Sequence, residues 1–359
     1  MNYSFRNFLI GFLITISVGG FSILALNVYV DPWHFFHDSS VASWQGKGRL
    51  QNPGILRQKT LSSVVIGTSM TQNFQPADVE KLFPGDAAIL SISAGTGREQ
   101  SLLALMAIRE QEGLGNIIWG LHPGSFSLPS DEVKGSSFPL YLYDENSMND
   151  FLYLFNLSNS KKALRDLLTG RSPADTDDWK NLQYWSGRYQ YGCPEALELQ
   201  VKRRGLPSPA DDWLGSPLSV HDNVRDNLHA VVVGNPNVNF SFFFPPFSSL
   251  YWSILAESQP HRYYAYRSVM SEVVKQLIEL PNVRIFDFTA ALSITENLDN
   301  YRDLTHFSGS INSQLLEFMA EGKFEVRYDG LLNIGKADAL AIYSDVGTEV
   351  LRCLSTAKH

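Results

Sequence analysis

The sequence predicts an α/β fold with a parallel sheet, a three-layer α/β/α sandwich, preceded by one N-terminal transmembrane helix. Three observations lead to this prediction. A charge-free apolar run opens the chain, short β-branched strands alternate with amphipathic helices after residue 60, and the same alternation returns near residue 238. Strands that alternate with helices pair in parallel, because each helical crossover returns the chain over one face of the sheet.

The apolar run, residues 8–30, is long enough to cross a bilayer with some tilt. Arg6 precedes the run and the first lysine after it is Lys47, so positive charge lies on the N-terminal side. This asymmetry predicts a single-pass inner-membrane protein with a cytoplasmic N-terminus and a periplasmic main domain. A cleaved signal peptide is the alternative, although the run is long for one and no small-x-small cleavage site follows it.

The chain divides into a stub and anchor at residues 1–30, a linker at 31–60 and one α/β domain at 61–359. A large insertion at about 125–235 interrupts this domain with little strand pattern. An insertion of that length forms either a lid or binding wall, or a variable surface excursion. Its last part, residues 219–234, has the pattern of a helix that leads back to the sheet.

Hydrophobic pattern and turn residues place the elements of the α/β domain. In chain order we expect a strand at 62–67, a helix at 75–83, a strand at 87–93, a helix at 98–113, strands at 116–121 and 238–247, a helix at 261–280, a strand at 282–288 and a helix at 308–322.

Composition excludes several classes of function. The formal net charge of −8 argues against nucleic-acid binding, which usually needs a basic face. The sequence has no Walker loop, no dinucleotide GxGxxG motif and no Cys/His pair with zinc-ligand spacing, so we expect neither a cofactor nor a metal. The two cysteines, Cys193 and Cys353, leave the question of a disulfide open.

Ser69 follows the first predicted strand, where an α/β sheet presents groups to a ligand. A serine nucleophile needs a base and an orienting carboxylate, which the tetrapeptide D-x-x-H supplies within one turn. This tetrapeptide occurs at 31–34, 226–229 and 303–306. The first adjoins the membrane run and predicts an interfacial loop with Trp33 among lipid headgroups, and the second lies in a helical pattern. Only the pair at 303–306 follows the last strand and can reach Ser69.

These blocks resemble the SGNH hydrolase superfamily of GDSL-like esterases and acyltransferases, whose sheet is flavodoxin-like. The matching blocks are 67–69 (Gly-Thr-Ser), Gly95 after the second strand, and Asp303 and His306 before the C-terminal helix. The resemblance implies that Ser69 attacks an acyl carbonyl and that His306 is the general base and then acid. Asp303 would hold the imidazole, and the backbone N–H groups of Ser69 and Gly95 would stabilise the oxyanion.

One block departs from the family pattern. Most members carry an Asn after the third strand as a further oxyanion donor, but here residues 120–123 read Gly-Leu-His-Pro. His122 or Ser125 is the candidate replacement, with a structural turn residue as the alternative for His122. Arg98 is either a contact for an anionic substrate or a surface residue.

The departure resembles a divergent, membrane-anchored branch of bacterial envelope proteins that modify polysaccharides. It implies an esterase or O-acyltransferase acting on acyl esters, acetyl first, of an envelope polysaccharide. The aromatic run after the fourth strand (Phe247, Tyr251 and Trp252) belongs either to the core or to a wall on which sugars stack. A non-catalytic glycan-binding or assembly protein and a lipid esterase are the alternatives.

Overall fold

A computed structural model describes residues 3–134, 138–170, 178–185, 187–203 and 217–327. The chain forms two compact units. One combines Met1–Lys59 with Pro139–Leu182, and the other combines Thr60–Phe138 with Gln183–His359. This division differs from the predicted boundaries at 31–60 and 125–235, because part of the predicted insertion folds with the N-terminal segment rather than with the sheet.

In chain order the helices are α1 (Tyr3–Val30), α2 (Gly48–Gln58), α3 (Pro76–Leu82), α4 (Gly97–Glu110), α5 (Pro123–Phe126), α6 (Phe151–Leu154), α7 (Leu157–Thr169), α8 (Cys193–Arg203), α9 (Pro217–Val224), α10 (Ala230–Gly234), α11 (Ser249–Ser258), α12 (Pro260–Leu277), α13 (Leu292–Thr295) and α14 (Gly309–Glu321). A π-helical turn, Arg225–His229, joins α9 to α10. The predicted helix at the end of the insertion is therefore confirmed.

The larger unit is built on a five-stranded sheet in which every neighbouring pair is parallel. Its strands are β1 (Ser63–Gly67), β2 (Ala87–Ser91), β3 (Asn116–Gly120), β4 (Asn239–Phe244) and β5 (Val283–Asp287). Their spatial order is β2-β1-β3-β4-β5. The predicted α/β fold with a parallel sheet is confirmed, and all five predicted strands are present.

The strands are buried along most of their length. Every residue of β1 and β2 is buried, as parallel sheets require. One hydrophobic cluster joins alternate strand residues to the helices α3 and α14: it includes Val65, Ile89, Ile118, Phe243, Phe286, Val79, Leu315 and Met319. Burial of these side chains supplies the main driving force for assembling the sheet.

The order of the strands creates a crevice beside β1. β1 pairs with β2 on one side and with β3 on the other, so the first crossover runs to one side of β1 and the second returns to its other side. A parallel sheet forms a ligand crevice at such a reversal of strand order. Two glycines let the Thr71 side chain pack closely at this point. A Cβ atom on Gly67 would lie 2.7 Å, and one on Gly120 2.6 Å, from the Thr71 Cγ2 atom. Gly67 also has a φ of +157°, a backbone angle that residues other than glycine rarely adopt.

Among the described residues of the N-terminal unit, one helix, at Phe5–Val30, has the length and apolar composition of a membrane span or a signal sequence. The segment after it is buried in this unit. Trp33 is only 3 % exposed, and its Nε1–H donates to the Asn159 Oδ1 atom at 2.9 Å. The predicted position of Trp33 among lipid headgroups is therefore wrong, because a buried hydrogen-bond acceptor holds the indole inside the protein.

Candidate active site

Ser69 lies directly behind β1, at the start of a 3₁₀ turn, Ser69–Thr71. The Thr71 hydroxyl fixes this turn, since its Oγ1 lies 2.9 Å from the Thr68 carbonyl oxygen and 2.6 Å from the Ser91 Oγ at the end of β2. The backbone amide of Ser69 precedes the first hydrogen bond of the turn, as the first amides of any helical turn do. The turn therefore holds both the hydroxyl and the amide of Ser69 at the crevice.

Ser69, His306 and Asp303 form a continuous chain of hydrogen bonds. The Ser69 Oγ lies 2.9 Å from the His306 Nε2, although the two residues are 237 positions apart. The His306 Nδ1 lies 2.9 and 2.8 Å from the two carboxylate oxygens of Asp303. An ionised carboxylate only accepts, so Nδ1 carries the ring proton and Nε2 is left to accept the proton of Ser69.

The surroundings of Asp303 favour its ionised form. Burial alone would raise its pKa, but the hydrogen bond and positive charge of His306 and the amides of His306 and Thr305 outweigh that effect and lower the pKa well below the ordinary value. Those amides donate to Oδ1 at 2.8 and 3.0 Å. Asp303 is therefore a carboxylate at neutral pH, able to orient His306 and to stabilise its protonated form.

Part of the predicted insertion packs beside this triad. The ring of Trp185 lies 5.4 Å from that of His306, and its Nε1–H donates to the Gln72 Oε1 at 3.1 Å. The guanidinium of Arg302 lies 4.4 Å from the ring of Trp185 and 4.0 Å from that of Tyr189. The aromatic pair thus fixes the residue that precedes Asp303, a role that the sequence pattern of the insertion did not reveal.

His122, which follows β3, also reaches this site. Its Nδ1 accepts the amide proton of Gly124 at 3.0 Å, so the proton of the neutral ring resides on Nε2. Burial, together with the charge of His306, lowers the pKa of His122 to about 4. At neutral pH His122 is therefore an uncharged N–H donor and not a second base.

Three other predicted contacts take different roles. The Gly95 amide donates to the Ile92 carbonyl at 2.8 Å within a turn, which corrects its assignment as an oxyanion donor. The Ser125 hydroxyl donates to the Gly95 carbonyl at 2.7 Å and so braces that turn. Arg98 interacts electrostatically with Asp226 and is not among the described residues that line the cavity beside Ser69.

A cavity of about 410 Å³ opens above Ser69. The described residues that line it are Thr68, Ser69, Met70, Ala94, Gly95, Thr96, His122, Gly124, Ser125, Leu128, Lys134, Tyr266, Thr305 and His306. Sequence reasoning missed Lys134 and Tyr266, because one lies on an irregular segment and the other on the buried face of α12, where an aromatic residue reads as core. Ser69, His306 and the neutral His122 therefore face one space.

The aromatic residues after β4 belong to the core rather than to this cavity. Phe247 is fully buried in the main hydrophobic cluster, and the partly buried Tyr251 and Trp252 pack against that cluster. The rings of Tyr251 and Trp252 lie 5.3 and 5.9 Å from the ring of Phe247. This packing favours the core interpretation over a sugar-stacking wall.

Within the described part of the chain, no group of three or more His, Cys, Asp or Glu residues is arranged to hold a metal ion. Cys193 is disulfide-bonded, and Cys353 lies outside the described residues. No protein-family model matches the chain, and no curated protein matches it. The chemistry of the site is therefore argued from its geometry alone.

Proposed function

We propose that this protein is a membrane-anchored serine esterase or O-acyltransferase of the SGNH type. It acts from the periplasm on acyl esters, acetyl first, of an envelope polysaccharide. The observation that carries the proposal is the hydrogen-bonded chain from the Ser69 Oγ through His306 to Asp303. These three residues lie at the carboxyl ends of parallel strands, beside β1. This location supports a three-layer sandwich of the SGNH type.

In the proposed reaction the Ser69 Oγ attacks the acyl carbonyl while its proton passes to the His306 Nε2. Asp303 keeps the proton on Nδ1 and stabilises the imidazolium that forms. The tetrahedral intermediate then collapses, and His306 gives its proton to the departing alkoxide. In the second half of the reaction, a water molecule or an acceptor hydroxyl gives its proton to His306 and attacks the acyl-serine. His306 then returns this proton to the Ser69 Oγ as the acyl group leaves, which gives hydrolysis or transfer.

The oxyanion needs donors other than the Gly95 amide. We assign this role to the backbone amide of Ser69 and to the Nε2–H of His122, which takes the place of the family's Asn. The proton on Nε2 follows from the Gly124 amide bond to Nδ1. A donor of this kind is fixed before the reaction begins, so it stabilises the developing charge without reorganisation.

The predicted location of the protein has two supports. Arg6 lies before the apolar helix, and this position of the positive charge supports a cytoplasmic N-terminus and a periplasmic site. The disulfide at Cys193 fits an oxidising compartment. The choice of an acetylated polysaccharide rests on the family resemblance.

A fluorophosphonate probe tests the nucleophile. The full chain in detergent micelles should be labelled covalently at Ser69, and Ser69→Ala should abolish the labelling. Ser310→Ala is the matched control, because Ser310 is an exposed serine outside the cavity and its loss should leave labelling intact. Labelling that persists in Ser69→Ala would rule out the assignment.

A glycan-binding protein on the same fold is the second candidate, favoured by the Gly95 amide being occupied. It predicts that acetylated polysaccharide binds to the unaltered chain and to Ser69→Ala and His306→Ala alike, with no acetyl-ester turnover by any of them. Faster turnover of long-chain than of acetyl p-nitrophenyl esters would instead indicate a lipid esterase.

A further inference from the structure

Helix α7 is amphipathic, but its polar side is buried and its apolar side is exposed, the reverse of a surface helix in water. Its buried side consists of Asn159, Lys162, Ala163 and Asp166. Its outer side carries four leucines: Leu157 is 67 %, Leu164 48 %, Leu167 44 % and Leu168 75 % exposed. In water a helix buries its apolar stripe, so the reversal indicates that the leucines meet an apolar medium.

The polar side of α7 is used inside its unit. The Lys162 Nζ pairs with the Asp166 Oδ2 at 2.5 Å and donates to the Ser43 carbonyl at 2.9 Å. The Asn159 side chain accepts from the Trp33 indole at 2.9 Å and donates to the Tyr153 carbonyl at 2.9 Å. These bonds fix the rotation of the helix, so the leucines cannot turn inward.

The apolar surface continues onto the neighbouring α6. Phe151 is 55 %, Leu152 45 % and Phe155 54 % exposed, and Met148 just before them is 81 % exposed. We call this set together with the four leucines of α7 the apolar face. So large a set of exposed apolar side chains on one short segment marks an interaction surface.

The apolar face is tied to the end of the membrane helix. The Asn27 side chain, in the last turn of α1, donates to the Leu154 carbonyl at 2.6 Å and to the Ser160 Oγ at 2.8 Å. Two further residues of this turn, Val28 and Tyr29, are themselves 48 % and 63 % exposed. Wherever α1 leaves the bilayer, α6 and α7 are therefore held at the same level.

Basic side chains border the leucines. Lys161 and Arg165 occupy exposed positions of α7 next to the leucine stripe, whereas Asp166, the helix's one acidic residue, faces inward. Basic residues beside an apolar stripe are typical of helices that lie in a membrane interface, where they meet lipid phosphates. A protein partner offers no comparable reason for this arrangement beside α1.

We propose that α6 and α7 lie in the bilayer interface, with the apolar face among the acyl chains of the leaflet from which α1 emerges. Lys161 and Arg165 then lie at the level of the lipid phosphates. The N-terminal unit thereby has a second, monotopic contact with the membrane. This inference rests on α1 spanning the bilayer, which is part of the proposed function.

Nitroxide accessibility tests the contact in the full chain, reconstituted into vesicles of phosphatidylcholine and phosphatidylglycerol. Leu164→Cys and Leu168→Cys each place a label on the apolar face, at leucines that are 48 % and 75 % exposed, and Cys193 is already disulfide-bonded. Val18→Cys reports on α1, and Leu218→Cys, at a leucine that is 68 % exposed on α9, is the matched aqueous reference. Circular dichroism checks that each variant folds.

We expect the labels at 164 and 168 to collide preferentially with oxygen, as the label at 18 does, and the label at 218 to collide preferentially with a water-soluble nickel chelate. Preference for the chelate at 164 and 168 while 18 remains lipid-exposed would overturn the second contact and leave the anchor intact. Exclusion of both reagents at 164 and 168 would indicate a protein partner and also overturn it. Preference for the chelate at 18 would refute the anchor and the contact together.

Discussion

Two copies of the same tetrapeptide, Asp-x-x-His, take opposite roles in the two units. In the N-terminal unit Asp31 accepts from the amides of Phe35, Phe36 and His37 at 3.0, 2.7 and 2.8 Å, and from the Tyr153 hydroxyl. In the larger unit the carboxylate of Asp303 instead accepts a hydrogen bond from the histidine ring of its own motif.

The histidines differ in the same way. The ring of His34 is fully buried and stacks on Trp44 with centroids 3.7 Å apart, while its Nδ1 accepts the Ser39 amide. His306 is 19 % exposed and uses Nε2 toward Ser69. His34 also has a left-handed backbone, with a φ of +56°. Spacing alone therefore does not define the chemistry; the backbone conformation and the exposure of the second ring nitrogen do.

The largest expected effect separates the two motifs by activity. His306→Ala should reduce p-nitrophenyl acetate hydrolysis by about 10⁴-fold, because Ser69 loses its base, and should lower the free energy of unfolding by about 1–3 kcal/mol, because the Asp303 carboxylate loses its imidazole partner. Steady-state kinetics and thermal unfolding measure both. The matched control is His229→Ala, in the third copy of the motif, which should retain full turnover. An active His306→Ala variant would refute the role of the base.

The converse substitution should affect stability instead. Asp31→Ala leaves three backbone amides and the Tyr153 hydroxyl without their acceptor, so we expect a loss of about 4 kcal/mol, measured by chemical unfolding in detergent micelles. Asp38→Ala provides the control: Asp38 is 48 % exposed and pairs with Lys59, so its loss should cost less than about 1 kcal/mol. Equal costs for the two variants would contradict the buried role of Asp31.

A smaller effect is expected at His122, and it distinguishes the role of this histidine from that of His306. His122→Ala should lower kcat for acetyl esters by about 10²-fold, since one oxyanion donor is lost. His122→Asn, which restores a side-chain N–H donor, should recover part of that loss. A structural role for His122 would instead reduce thermal stability equally in both variants without separating their kcat values.

The smallest effect is a pH dependence. The pKa of His122 falls from 6.5 to about 4 on folding. The unfolded chain therefore takes up this proton first, and the free energy of unfolding should decrease as pH falls from about 6.5 to about 4, by at most about 3 kcal/mol. Chemical unfolding of the unaltered chain and of His122→Gln should differ in slope over this window. Parallel curves would show that His122 does not titrate differently on folding.

Short-range pattern was sufficient for the sheet. Each strand is a short apolar run, rich in β-branched or aromatic residues in β1, β3 and β4, and each of these runs forms a strand in the structure. Position along the chain was also sufficient to choose the motif at 303–306 over its two copies, because only that motif follows the last strand.

Signals that arise from tertiary packing were not readable in advance. The occupied amide of Gly95 depends on a turn that forms only when Ile92 and Ala94 take their backbone angles, with a φ of +50° at Ala94. The burial of Trp33 depends on Asn159, which is 126 residues away. The sequence likewise does not show whether an apolar stripe faces the core or the outside, so the leucines of α7 are equally compatible with a core face.

Because the N-terminal unit is built from two separate segments of the chain, its folding is delayed until the second segment has been synthesised. Asp31 and Trp33 leave the ribosome long before Tyr153 and Asn159, their partners across 122 and 126 positions, have been made. At about 5–20 residues per second this delay is on the order of ten seconds. During that interval the carboxylate of Asp31 and the indole of Trp33, both buried in the folded unit, lack these partners. The N-terminal unit therefore cannot complete its buried hydrogen bonds until residue 159 has been synthesised.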